Sequence, residues 1–327
     1  MRAAIVAFAL CSASLLAACG SKSENPASRA DTRSAQKSSA KGQVSATAAE
    51  VAEEARGKVR CPPKIATPAR PSSAPVDDVV GVRPGMTYEE AANTVLCSHD
   101  LLVVQEDNAR RFSIQTYGQQ IRQGFTARFA VDRVERTSQQ IMKDLQDSAM
   151  ARGTNRVVRD MQPGQAKWYV ATMGLPGQER VMSAAREEWF DSGRNPTLQG
   201  VEQALIGKYG QPTQIQRQPG QSLLTWSYDT RQRPITETSP LYQRCYGTAD
   251  PDGSTSFSPD CGIVVSARVQ GLRENPDLAE YLQVGVIDQA NGYELLTSTE
   301  QGLQRLENER RAREVQEASK NAVAPKL

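Results

Sequence analysis

A helix-opening pattern followed by a run of short strands occurs twice in the 327 residues, and this repetition limits the chain to few architectures. In the first copy, Gly85-Met86-Thr87-Tyr88-Glu89-Glu90-Ala91 leads to Val95 and Leu96. Thr87 and Glu90 have capping-box spacing, and Tyr88, Ala91, Ala92 and Val95 fall on one helical face. In the second, Asn195-Pro196-Thr197-Leu198 leads through Val201 and Leu205 to Gly210-Gln211-Pro212-Thr213. Pro196 suits the first helical turn, and Gly210 and Pro212 stop the helix. Thr87 aligns with Thr197, Tyr88 with Leu198, Ala91 with Val201 and Val95 with Leu205. Strand-like segments follow each helix: residues 111–117, 124–134, 166–173 and 179–190 after the first, interrupted by a helix near 138–151, and 213–218, 222–229, 262–271 and 282–288 after the second. Phe125, Ala127 and Phe129 alternate with Thr126 and Arg128, and Leu224, Trp226 and Tyr228 share a face in the same way. Such alternation predicts antiparallel sheets with one covered face. The expected class is α+β: two related modules of a helix plus an antiparallel sheet, over residues 77–191 and 192–296.

The N-terminus carries a different kind of information. Arg2, an apolar run over residues 3–16 and the small residues Ala17 and Ala18 precede Cys19. A charged start, a short apolar stretch and a small-residue cut site describe an export signal, and the run is too short to remain as a membrane span. Leu16-Ala17-Ala18-Cys19 resembles the lipobox of bacterial lipoproteins. The resemblance implies removal of residues 1–18, acylation of Cys19 and attachment to a membrane, each buried acyl CH₂ contributing about 0.8 kcal/mol. By resemblance to the sorting rule of enterobacterial lipoproteins, in which an Asp at this position signals retention, Gly20 implies the outer membrane, with the chain facing the periplasm. Residues 19–76 are expected to be a disordered tether. Residues 20–60 are rich in Ser, Ala, Lys, Glu and Gln, with transient helix at most near 45–56, and a Pro-rich spacer covers 62–75. About forty residues of such chain span roughly 35 Å. Residues 297–327 read as a charged, solvated helix and tail, with Leu303, Leu306 and Val315 the only large apolar side chains of the helix over 298–321.

Charge and cysteines narrow the function classes. Lys and Arg number 39 and Asp and Glu 37, a formal charge of +2, and losing Arg2 with the signal leaves +1. A chain so nearly neutral has no electrostatic footprint for nucleic acid. Beyond Cys11 and Cys19, four cysteines remain: Cys61, Cys97, Cys245 and Cys261. In an oxidising compartment they predict two disulfides with three possible connectivities, of which local pairing, Cys61 with Cys97 and Cys245 with Cys261, closes the shortest loops. No C-x-x-C pair favours a zinc site instead.

The helix opening at Gly85–Glu90 and the Gly-x-Pro turn at Gly210–Pro212 resemble the SmpA/OmlA family, small lipoproteins that assist outer-membrane β-barrel assembly. The doubled helix-and-sheet module is similar to that of β-lactamase inhibitor proteins. The resemblance covers about thirty residues in each half, and the first copy departs from it by ending in Cys97-Ser98-His99-Asp100. It implies a scaffold-like role and no particular complex.

Catalytic patterns are sparse. His99 is the single histidine, with Asp100 beside it as the one acid–base pairing, against the plainer reading of a helix-terminal turn. No G-x-S-x-G, H-E-x-x-H or phosphate-loop pattern occurs. Asp250-Pro251-Asp252-Gly253-Ser254 begins like a calcium loop but lacks the third acidic ligand and the closing glutamate, so a polar turn is expected, with no metal and no cofactor. Trp168, Trp189 and Trp226 are candidate partner anchors, since adjacent strand residues face opposite ways and one ring of each aromatic pair could be exposed. The expectation is a non-enzymatic envelope lipoprotein that binds a periplasmic or outer-membrane protein. Two alternatives are a glycan hydrolase working through paired carboxylates, Glu187-Glu188 being one acidic stretch, and an inhibitor-type or ligand-binding module.

Overall fold

The computed structural model describes residues 44–65, 69–71, 73–107, 112–153 and 161–323; Cys19 and residues 20–43 lie outside them. The element order is β1 (Val44–Ala46), α1 (Ala48–Arg56), α2 (Tyr88–Leu96), β2 (Leu102–Glu106), β3 (Gly124–Phe129), β4 (Arg133–Val134), α3 (Ser138–Gly153), β5 (Ala166–Met173), β6 (Arg180–Trp189), α4 (Leu198–Tyr209), β7 (Gln214–Gln218), β8 (Gln221–Asp229), β9 (Cys261–Gly271), β10 (Ala279–Asp288) and α5 (Gln289–Asn321). The chain is α+β. Its main sheet has eight antiparallel strands in the order β2-β3-β5-β6-β10-β9-β8-β7, and β1 pairs with β4 in a small ribbon.

That strand order is the repeat made visible. Each copy is a helix followed by four main-sheet strands in sequence, and the copies join through their last strands, β6 and β10, which pair antiparallel from Tyr281–Trp189 to Ile287–Ser183. The aligned threonines do the same work twice. Thr87 caps α2 and bridges to Arg180, ahead of β6's core, while Thr197 caps α4 and bridges to Leu278, ahead of β10. Tyr88, Ala91 and Val95 of α2 and Val201 and Leu205 of α4 bury against a single cluster that includes Phe125, Trp168, Leu224, Trp226, Val265 and Val286. Both copies also place their long insertion between the second and third strands: residues 130–165 in the first, residues 230–260 in the second.

The sheet is covered on both sides, not one. Opposite the helices, Tyr169, Ala171, Met173 and Met182 pack under Phe112, Ile114 and Ile121 and under Leu295 and Leu296 of α5. This explains the expected strand at 111–117, which is not formed in the described residues 112–117. Its alternating apolar residues come from a loop lying across the sheet, and the edge position goes to the unpatterned run Leu102–Glu106. The second insertion crosses the same face, closed by Cys245–Cys261. Gly285 lets it pass, since a Cβ there would stand 2.1 Å from the Thr248 carbonyl oxygen.

Two boundaries differ from the sequence reading. Residues 44–65 belong to the folded body, where the Thr47–Glu50 capping box opens α1, Ala52 is fully buried, and Cys61–Cys97 ties the segment to the end of α2. At the other end, α5 starts at Gln289 rather than 298. Gly292 lies against Phe257, Gly302 against Leu175, and Leu303 is fully buried, so its first half docks on the sheet while residues 308–321 are exposed.

Candidate functional site

The join between β6 and β10 carries a connected row of polar side chains. On the face away from α2 and α4, strand register sets Lys167 opposite Glu187, Glu187 opposite Gln283, and Gln283 opposite Arg268. One level further along, Trp189 stands opposite Tyr281, and Tyr281 opposite Gln270, which itself pairs with Gln221. Period-2 alternation places all of these on one face.

The inner row is buried and bonded. The Glu187 carboxylate accepts the Trp189 indole N–H at 2.6 Å and the Gln283 amide at 2.8 Å, and it lies 3.4 Å from the Lys167 ammonium. Lys167 also meets Asp252 of the second insertion, which in turn reaches toward Arg128 at 3.9 Å. Burial alone would lower the Lys167 pKa, but Asp252 and Glu187 raise it above the ordinary lysine value. A lysine held as a cation does not serve as an amine nucleophile. Two atoms of this row, Gln283 Oε1 and Arg268 Nε, are buried without a hydrogen-bond partner among the described residues.

The outer row is more open. The Trp189 and Tyr281 rings stack with centroids 5.1 Å apart and planes 22° apart. Burial first, with Glu187, Glu280 and Asp250 nearby, raises the tyrosine pKa against the opposing Arg268 charge. Gln221 donates to Gln270 at 3.0 Å, and Gln270 to the Gly220 carbonyl at 3.1 Å. Beside them a shallow groove is lined by Trp189, Pro219, Leu272, Arg273, Pro276 and Tyr281. Aromatic rings, amides and a cation at a groove can hold a peptide-like surface; no atom here is a poised nucleophile.

Of the three tryptophans singled out in the sequence, only Trp189 lies at this groove. Trp168 and Trp226 are each 1 % exposed and cannot contact a partner. Trp226 donates its indole N–H to the Gly210 carbonyl at 2.8 Å, and Trp168 packs under the Arg186 guanidinium. Both point toward α2 and α4 because the helices cover that face. Tyr281, Gln283, Arg268 and Lys167 escaped notice, and Asp252 stood out only as part of a calcium-like turn. Tyr281 lies just ahead of where the strand was expected to begin, and the cross-strand rows depend on register.

A second cleft runs between residues 71–85, the starts of β6 and β9, and α5, with Asp77, Asp288 and Glu294 on its walls. Two of its carboxylates are engaged. Asp77 meets Arg83 at 2.7 Å, and Asp288 caps α5 by accepting from the Asn291 backbone and side chain. Glu187 and Glu188, adjacent on β6, face opposite sides of the sheet, where Glu188 pairs with Arg186 at 2.5 Å. His99 accepts the Leu101 N–H on Nδ1 and stacks on Phe129, while Asp100 turns to Arg56. Asp250 closes its own turn onto the Asp252 N–H. Cys61 and Cys97, and Cys245 and Cys261, are disulfide-bonded.

No protein-family model matches the sequence, and comparison with curated proteins and with solved structures finds no match.

Proposed function

We propose that the chain is a non-enzymatic, lipid-anchored protein of the bacterial envelope, held at the outer membrane through Cys19, that binds a periplasmic or outer-membrane protein at the Trp189–Tyr281 groove. The observation that carries the binding reading is the stacked aromatic pair at the mouth of a groove, on a sheet face otherwise covered by α5 and the two loops. Interface anchors are typically aromatic or arginine side chains seated among groups that exclude water, and Arg273 lies in the same groove. The anchor reading rests on the composition and spacing of residues 2–19. The competing hydrolase reading asks for two facing carboxylates free to exchange protons, and Asp77, Asp288, Glu187 and Glu188 each hold at least one oxygen in a structural bond.

The test is a photo-crosslinking residue at Gln270 in the full chain in intact cells, with Val323 as a distant control. The expected result is one discrete protein adduct at Gln270 that Tyr281→Ala reduces about tenfold or more, the loss of a single interface anchor. No adduct from a protein that is fully membrane-bound overturns the partner reading. Separately, Cys19→Ser should move the chain to the soluble periplasmic fraction.

A further inference from the structure

The first copy's insertion presents a surface that the fold leaves uncovered. None of the described side chains of α3 is buried, and Ile141, Met142 and Leu145 are 46 %, 65 % and 57 % exposed. Leu145 stands one turn beyond Ile141, with Met142 beside them. Val131, 74 % exposed, precedes β4, and Val44, 50 % exposed, lies on the strand paired with it. Single exposed apolar residues are ordinary, but three on one helix, with two more at the ribbon that precedes it in the chain, need an occupant.

The neighbouring chain indicates which. The N-terminal segment enters the fold at this place: Val44 pairs with Val134, just ahead of Ser138 where α3 begins. The Ala48 N–H donates to Asp132 at 2.8 Å, and Arg133 pairs with Glu54 at 2.9 Å. Only residues 20–43 separate this root from Cys19, which sets a fully extended limit on the order of 80 Å. We propose that the Ile141–Met142–Leu145 face of α3, with Val131 and Val44, rests on the bilayer as a second membrane contact. This rests on the reading that Cys19 is acylated. An interfacial helix needs an apolar face flanked by polar and cationic residues, and α3 supplies Gln139, Gln140, Lys143 and Gln146 alongside Asp144 and Asp147, with Arg133 and Arg136 ahead of it. So small an apolar face binds weakly from free solution, but a tether multiplies its effective concentration at the surface. The equivalent insertion of the second copy folds back over the sheet instead, with Cys245 and Cys261 buried beneath it.

The experiment uses vesicles of phosphatidylethanolamine and phosphatidylglycerol, with and without brominated acyl chains. The full mature chain carrying acylated Cys19 and Met142→Trp is expected to show a bromolipid-quenched component that the wild-type tryptophans lack. Equal quenching in the two proteins overturns the proposal. A second arm takes the mature chain with Cys19→Ser, free in solution. Adding Ile141→Gln and Leu145→Gln should weaken its vesicle binding about tenfold, the loss of two apolar contacts. Unchanged binding, or a residue-142 crosslink to an envelope protein in place of lipid, also overturns it. Mass measurement of the wild-type N-terminus reports acylation independently. An unacylated N-terminus with lipid-sensitive α3 would sink the anchor reading alone.

Discussion

Asp78 and Asp288 are pushed in opposite directions by their surroundings. Burial would raise the Asp78 pKa, but the Gly81 N–H, the Lys208 ammonium and Arg70 outweigh it and hold the carboxyl below its ordinary value. Its stabilising contribution is therefore present above the unfolded carboxylate pKa and is lost as pH falls through the depressed folded value. The same residue ties the copies together, because its backbone carbonyl accepts the Tyr209 hydroxyl at 2.8 Å from the end of α4. Asp288 is raised, first by burial and then by the Asp77 charge, against the two Asn291 bonds. Its contribution is full below the unfolded pKa and is lost as pH rises through the raised folded value. Asn caps a helix as well as Asp does. Asp288→Asn should therefore stabilise the protein at pH 7 by up to about 1 kcal/mol, and give no gain near pH 3, where the aspartate is already neutral. Thermal melts at both pH values check this, and an equal shift at both would contradict it.

Among the elements, the two disulfides close loops of different kinds. Cys61–Cys97 spans a separation of 36 residues and Cys245–Cys261 one of 16, which the chain-entropy model converts to about 4 and about 3 kcal/mol. Where the loss is felt should invert that order. The first bond fastens residues 44–65, otherwise held by the short β1–β4 ribbon, the buried Ala52 and a few polar contacts. The second lies inside a cluster with Ile235, Val264 and Ile287 beneath the main sheet. Replacing Cys61 and Cys97 by Ser should raise hydrogen exchange across α1 while leaving exchange in β6 and β10 unchanged. Replacing Cys245 and Cys261 should lower the global melting temperature by several degrees. Exchange in β6 and β10 that rises as much as that in α1 in the first variant would show that the N-terminal segment and the sheet unfold together.

At the scale of the molecule, the two modules are legible as units but cannot stand apart, because they share one core and meet through β6 and β10. A chain ending at residue 191 would leave β6 as an open edge, bare of its seven-pair register with β10. It should dimerise through that edge or aggregate; a stable monomer by light scattering would contradict a shared core. Much of this was open to sequence reading. The Thr87–Glu90 box, the Thr197 cap and the alternation at Phe125–Phe129 and Leu224–Tyr228 encode helix starts and strand faces locally, and local periodicity survives any packing. Residues 112–117 imitated a strand because a chain crossing a sheet also half-buries alternate residues, here Phe112, Ile114 and Thr116. Residues 44–65 looked like tether because their order comes from a distant cysteine, a single buried alanine and partners eighty residues away. The groove followed the same logic, since Trp189 was visible as an aromatic, whereas its stacking on Tyr281 depends on which strands meet. By itself the sequence determined the repeated helix-and-strand units and their α+β class, since capping and periodicity are properties of neighbours along the chain. Only the tertiary structure decided that the units fuse at β6 and β10, that Trp168 and Trp226 face inward and that Trp189 opens to a groove, because edge pairing and burial are contacts between residues far apart in the chain.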